Sequence, residues 1–371
     1  MTAQRQFSSG SAPVEADERY GGAGEFLFDR GRVQWTERRR PGVYVITGGA
    51  GFIGSNIAAA LDQQGADIVI SDWMGASDFK WRNIAKRRLL DIIPPEATGA
   101  FLDANQEKIG GVFHMGAIST TTETDIDAIV RNNIRLSIDL WTWCSRAKIP
   151  LVYASSAATY GDGREGFLDR FDADYLSRLR PLNAYGWSKA LFDRWVQHAV
   201  ATGAPCPPRW AGLKFFNVYG PNEYHKGGQR SVAAQLHAQI RESGRVRLFR
   251  SENPDYPDGG QMRDFVWVGD CVRVALWALQ QPSAQSGLYN VGSGTARSFL
   301  EKAKIMFAEM GVAPDVEFID LPAALRGKYQ YYTCGSIEKL RSAGYATPST
   351  RLEDGLRLYV RNHLETADRY Q

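Results

Sequence analysis

Tyr185-Gly186-Trp187-Ser188-Lys189 places a phenol and an ammonium four positions apart, so on a helix both share one face. Ser155-Ser156 ends an apolar run upstream and adds hydroxyls. A phenol titrating near ~10 is a poor base at neutral pH. A neighbouring ammonium, or an oxidised nicotinamide, favours the phenolate. Phenol, ammonium and hydroxyl together suit hydride transfer at a carbinol, with Tyr185 handling the hydroxyl proton. Taken alone, the Tyr/Lys spacing reads as an exposed pair of no consequence; the upstream serines make it a constellation.

A second motif, Thr47-Gly48-Gly49-Ala50-Gly51-Phe52-Ile53-Gly54, sits between a strand-like run and a helical one. Gly48, Gly51 and Gly54 fall where a chain turns tightly, where backbone approaches a pyrophosphate, and where helix and strand pack closely. A glycine triplet by itself is only a tight turn. Asp72 follows at the end of the next strand, close to the ~20 residues expected of a carboxylate that binds a ribose hydroxyl.

These residues need a scaffold, and the pattern from Pro41 onward supplies one. Short β-branched runs at 43–47, 66–71, 111–114, 151–154 and 212–216 alternate with helical segments near 52–64, 123–147 and 185–200. That alternation predicts an α/β fold: a Rossmann-type doubly wound parallel sheet with a smaller α/β substrate-binding lobe. Residues 41–215 are expected to form the NAD(P)-binding domain, with 264–294 returning to it, and 216–263 plus 295–371 the substrate lobe. Residues 1–40 are rich in small and mixed-charge residues and read as a poorly ordered tail, with 26–35 as a small hairpin or docking ribbon. Pro254 to Gly260 forms a Pro/Gly/Asp-rich insertion.

Composition removes other classes. Among 371 residues, 44 Lys and Arg against 41 Asp and Glu leave a formal charge of +3, which argues against binding nucleic acid through neutralised phosphates. Cys144, Cys206, Cys271 and Cys334 are widely separated and form no C-x-x-C, and the five histidines show no metal-ligand spacing, so no metal is expected. No apolar stretch reaches the ~18 to 20 residues of a membrane span, and 1–40 has no signal-peptide core. A cytoplasmic protein with no membrane partner is the expectation.

Thr47 to Gly54, Asp72, His114-Met115-Gly116-Ala117, Asn132-Asn133, Ser155-Ser156, Tyr185 to Lys189 and Arg263-Asp264-Phe265-Val266 together resemble the extended short-chain dehydrogenase/reductase family, over nearly all of residues 43–365. Within it, the runs from Ala154 to Gly161, Phe216 to Gly227 and Leu325 to Gln330 look like the nucleotide-sugar epimerases that act on ADP-heptose. The resemblance implies a redox-neutral isomerase. Bound NADP takes hydride from C6 of ADP-D-glycero-D-manno-heptose, the 6-keto intermediate presents its other face, and the same cofactor returns the hydride, giving the L-glycero epimer for lipopolysaccharide core synthesis. Two proton-handling groups on opposite faces are then useful, and the resemblance assigns these positions to Tyr185 and Lys226. It gives Ser156 the hydrogen bond to the reacting oxygen and Lys189 the nicotinamide ribose. Cofactor contacts are implied at Gly48, Gly51, Phe52, Ile53, Gly54, Asp72, Trp73, Lys80, Met115, Gly116, Ala117, Ile118, Ser119, Asn132, Tyr185, Lys189, Val218 and Lys226. Substrate contacts are implied at Ser156, Asn217, Gly228, Gln235, Phe249, Arg263 and Tyr329, with the forked donors of Arg263 suited to the ADP diphosphate. A homo-oligomer, pentameric in the family, is also implied.

Without the resemblance, Lys226 reads as a surface lysine in a glycine-containing loop, and Arg263 reads equally well as a structural partner of Asp264 or another carboxylate. Gly228 and Gln235 depart from the pattern, since other members carry serine and histidine there. Asp72 repels a 2′-phosphate and favours NAD, whereas Lys80 and Arg82 in the following loop could accept that phosphate; the resemblance tips the balance to NADP, with NAD open. Related 4,6-dehydratases place Asp-Glu directly after the catalytic hydroxyl residue, where this chain has Ala157-Ala158. A UDP-sugar 4-epimerase also lacks that pair and stays an alternative. A noncatalytic dinucleotide-sensing scaffold predicts a degraded Ser/Tyr/Lys set, and the set is intact.

Overall fold

In the computed structural model the described residues are 42–76, 79–322 and 329–371. The expected tail and its 26–35 ribbon, and Leu325 to Lys328 of the third epimerase-like run, lie outside them.

Runs rich in Val, Ile, Leu and Phe can be buried on both faces only in a parallel sheet covered by helices. Such a sheet is formed by β1 (Val43–Thr47), β2 (Ile68–Ser71), β3 (Asp91–Ile93), β4 (Ile109–His114), β5 (Leu151–Ser156), β6 (Trp210–Phe215) and, much later in the chain, β10 (Gly287–Val291). Their order is β10-β6-β5-β4-β1-β2-β3 and every pairing is parallel. The strand order reverses between β1 and β4, which is where doubly wound sheets bind ligands, outside the carboxyl ends of the strands. The fold is therefore the Rossmann-type α/β architecture. Before returning as β10, the chain passes through the helix Val268–Gln280, which packs on this sheet.

The smaller lobe uses β7 (Asn217–Tyr219), β9 (Met262–Trp267) and β11 (Ala296–Ser298) in one short sheet, and β8 (Val246–Phe249) with β12 (Val316–Ile319) in another. Its own apolar cluster includes Leu236, Phe265, Trp267, Phe307, Leu356 and Tyr359. Among the described residues no helix is long and apolar enough to cross a membrane.

Two departures from the expected elements have physical causes. Asp91–Ile93 forms the sheet edge with only Ile93 buried, so three residues carry no readable alternation. The helical segment expected at 123–147 begins at Ile126 and is interrupted by a π-helical stretch, Val130–Arg135, before continuing as Leu136–Ala147. Such a bulge re-aims side chains and recurs at functional sites.

Among the described residues, one charged pair lies wholly inside. Lys214 on β6 and Asp193 on the helix Ala184–Ala201 are both fully buried, 2.7 Å apart. Ser155 donates to the same carboxylate oxygen at 2.7 Å, and Lys214 also donates to the Thr159 hydroxyl at 2.6 Å. A buried pair of this kind adds little net stability when complete, but removing one partner strands the other charge. Asp193→Asn should therefore lower unfolding free energy by about 3–5 kcal/mol, read as an earlier urea midpoint, and replacing Lys214 with Met in the same chain should recover most of the loss.

Candidate active site

The sharp turn after β1 depends on glycine at two points. Gly48 has φ +62°, and a Cβ there would meet the Cα of Gly116, on the loop after β4, at 2.6 Å. A Cβ on Gly54 would lie 2.3 Å from the Gly48 carbonyl oxygen. The helix Phe52–Gln63 thus starts hard against the turn. Its N-cap, Gly51, supplies no capping side chain, and no acidic residue occupies the first turn, so the positive helix end is left for an anion.

Behind the turn, a chain of neutral hydrogen bonds runs from β1 to the helix Ala184–Ala201. Ser137 donates to the Asn133 carbonyl at 2.7 Å, so its oxygen accepts from His114 Nε2 at 2.9 Å, and His114 Nδ1 accepts from the Thr47 hydroxyl at 2.6 Å. Burial, with the charge of Lys189 second, pushes His114 down to about 3, which keeps it neutral. The Asn133 side chain, inside the π-helical stretch, bridges Ile118 through both its oxygen (2.8 Å) and its nitrogen (2.9 Å), and also donates to Ser188 at 3.0 Å. Ser188 in turn donates to the Tyr185 carbonyl at 2.7 Å. The Asn183 side chain caps this helix, accepting from Gly186 N–H at 2.8 Å. Tyr185 and Lys189 are held in place from both sides.

These elements enclose a cleft of about 700 Å³ at the switch point. Lining it are Gly48, Gly51, Phe52, Ile53 and Gly54 from the turn, Asp72, Trp73 and Lys80 after β2, and Met115, Gly116, Ala117, Ile118 and Ser119 after β4. Asn132, Ser156, Tyr185, Lys189, Val218 and Lys226 complete the lining among the residues singled out from the sequence. The glycine cradle and the uncapped helix start fit a dinucleotide pyrophosphate. Asn217, Gly228, Gln235, Phe249, Arg263 and Tyr329 are not part of this lining. The Arg263 guanidinium instead lies over the rings of Tyr329, at 5.3 Å, and Phe299, at 5.4 Å, while Phe249 packs edge-on to Tyr329. The Gln235 amide donates to the Arg230 and Gly228 carbonyls.

Two electrostatic expectations change. The Arg263–Asp264 pair does not form: Asp264, facing the other way on β9, accepts from Ser293 N–H at 2.6 Å and from the N–H groups of Gly294 and Gly335 at 3.1 Å. Tyr185 is not drawn toward phenolate by Lys189. Burial raises it, a hydrogen bond with Ser156 partly offsets that, and Asp193 raises it further. Lys189 itself is pushed down to about 8 by burial, with Asp193 pulling it back up. Burial also lowers Lys226. Sequence reasoning assigned no role to Thr47, Asn133, Asp193 or His114, although Thr47, His114 and Asn133 stood in the quoted motifs.

Residues 44–292 match the NAD dependent epimerase/dehydratase family. The chain belongs to that family. A nicotinamide dinucleotide is the family's cofactor. A relative from Nitratidesulfovibrio vulgaris named ADP-L-glycero-D-manno-heptose-6-epimerase is 46% identical over 332 residues, spanning 88% of this chain and 99% of the relative. The crystal structure of a Helicobacter pylori protein of the same name superposes with a TM-score of 0.71 at 26% identity, over 87% of this chain and 96% of that one. A Thermus thermophilus UDP-glucose 4-epimerase in complex with NAD gives 0.67 at 26% identity, over 88% and 99%.

Lys189 lines the cleft and presents a positive charge to an anionic dinucleotide only while it keeps its proton. Dinucleotide affinity, followed by calorimetry from pH 6 to 10, should therefore weaken as pH rises through about 8. In Lys189→Arg, whose charge persists, that alkaline decline should be absent.

Proposed function

We propose that this chain interconverts the C6 epimers of ADP-glycero-manno-heptose, supplying the L-glycero form for lipopolysaccharide core synthesis. The observation that carries the proposal is that one cleft is lined by two proton-handling groups from different elements: Tyr185, at the start of a helix of the sheet domain, and Lys226, on the loop after β7. An epimerase that works on both faces of one carbon has a use for both groups. A dinucleotide held by the glycine turn, Asp72 and Lys189 would supply a hydride acceptor and donor at C6. The protein's part is to move the O6 proton and hold the oxygen. Burial raises Tyr185 and lowers Lys226, so each group is shifted toward its uncharged form and toward exchanging a proton with a bound hydroxyl. The Ser156 oxygen accepts from Ala158 N–H at 3.1 Å, which fixes the hydroxyl beside the Tyr185 phenol, where the reacting oxygen would be held between the two. Arg263, steadied by the Phe299 and Tyr329 rings, serves the ADP diphosphate. Ala157-Ala158 after Ser156 supports epimerisation over dehydration, because elimination of water needs the missing acid/base pair.

NADP is the proposed cofactor. Lys80 donates to Asp72 Oδ1 at 2.6 Å, and Ala50 N–H donates to Oδ2 at 3.0 Å. Both carboxylate oxygens are therefore engaged within the protein, and the repulsion that Asp72 alone would exert on a 2′-phosphate is offset by an ammonium beside it. A homo-oligomer is part of the same proposal.

Purified protein incubated with ADP-D-glycero-D-manno-heptose should produce the L-glycero epimer, resolved by NMR; no interconversion, with turnover of UDP-galactose instead, would sink the assignment. Tyr185→Phe and Lys226→Met should each slow epimerisation by roughly 10²–10⁴-fold while the Phe variant still binds cofactor. Lys80→Ala should weaken NADP binding by roughly 10- to 100-fold and NAD binding much less; equal losses would remove Lys80 from 2′-phosphate recognition.

A further inference from the structure

Under the loop that carries Lys226 lies a carboxylate with no role in the reading so far. Glu223 is fully buried. Its Oε1 accepts from the Ser231 hydroxyl at 2.7 Å, the Tyr359 phenol at 2.9 Å and Gly220 N–H at 3.4 Å, while Oε2 accepts from Ser231 N–H. Gly220 and Ser231 stand at the two ends of the loop, so one side chain closes it. Inside that closure, Lys226 N–H donates to the Glu223 carbonyl at 3.1 Å.

All four of these donors are neutral. They satisfy the carboxylate's hydrogen-bonding needs, which a buried anion requires, yet they leave its charge standing in a medium that screens poorly. Two lysines feel it. The Lys226 ammonium lies 5.4 Å from the Phe52 ring at the edge of the cleft, and Lys302, fully buried, has its ammonium 3.8 Å from the Phe265 ring and 4.7 Å from that of Tyr219. Burial lowers both lysines, and Glu223 is the charge that pulls each back up. Other charged or titratable groups near Lys226 include Tyr224 and His225 on its own loop, the phenol pushed up and the imidazole held neutral at about 4, both chiefly by burial, Lys80 and Asp72, paired with each other, and Tyr185 and Lys189 on the helix across the cleft.

We infer that Glu223 is the positioning residue of the second proton-handling group: one carboxylate both closes the loop that presents Lys226 to the cleft and sets the charge that Lys226 carries. The inference rests on the reading of Lys226 as an acid/base group, but its test does not pass through turnover. A purely structural Glu223 would keep the loop closed without affecting the protonation of Lys226.

In the purified full-length chain, trace acetylation with acetic anhydride across pH 6 to 11, with the Lys226 peptide quantified by mass spectrometry, reports the midpoint at which the amine becomes free. Glu223→Gln and Glu223→Met, both of similar length and uncharged, should move that midpoint down by about one pH unit, so that roughly tenfold more amine is free on the acid side. Glu223→Asp, which keeps the charge one methylene further back, should restore most of the difference. A midpoint unchanged in a folded neutral variant overturns the inference. If neither neutral variant folds, each is made in a chain that also carries Lys302→Met, which removes the second buried lysine coupled to the carboxylate; a Lys226 midpoint lower than in Lys302→Met alone sustains the inference, and an unmoved one overturns it. Loss of heptose epimerisation with these midpoint shifts intact would count against the proposed substrate and leave the role of Glu223 standing.

Discussion

The Thr47 hydroxyl donates to His114 Nδ1 and accepts from Gly116 N–H, so one threonine at the end of β1 joins the two turns that flank the point where strand order reverses. The glycine turn, the loop after β4 and the start of the Tyr185 helix all take their positions from the hydrogen-bond chain that begins there. The chain contains no ion and leaves no unpaired donor along its length, which is what makes a buried polar network specify one arrangement. With the histidine neutral and its tautomer set by its neighbours, the network holds the glycine turn in register with the helix that carries Tyr185 and Lys189.

Much of this was readable beforehand because the relevant spacings are local. Apart from the edge strand Asp91–Ile93, the strands from Val43 to Phe215, the glycine turn and the Tyr185/Lys189 face follow from short-range pattern, and the cleft gathers the residues those motifs named. What the pattern could not supply depends on contacts distant in sequence. Asp264 was read beside Arg263 because they are neighbours in the chain, whereas strand alternation sends them to opposite faces. The favourable spacing predicts that Lys189 lowers Tyr185; the depth of the site is invisible in sequence, and burial, with Asp193 adding to it, raises the phenol instead. Glu223 looked like one more letter in a loop motif until Tyr359, from far down the chain, proved to cover it.

The charges at the site are few and individually managed. Asp72 meets Lys80, Asp193 meets Lys214, and Glu223 is held by neutral donors, so each anion has a different degree of neutralisation. That gradation explains how a protein of nearly balanced charge can serve an anionic cofactor and a nucleotide-sugar: local cations do the work that an overall basic field would do less selectively.

The placement of β10 beside β6 has a consequence for how the protein comes apart. The last strand of the cofactor sheet is made from residues 287–291, after the chain has already built strands of the smaller lobe, so no single cut yields a whole cofactor half. A fragment ending after β6 would carry the long, fully buried strand Trp210–Phe215 as a naked edge, the kind of surface that pairs with other chains. During synthesis the same edge stays open until Gly287 to Val291 emerges, so the two lobes are obliged to mature together.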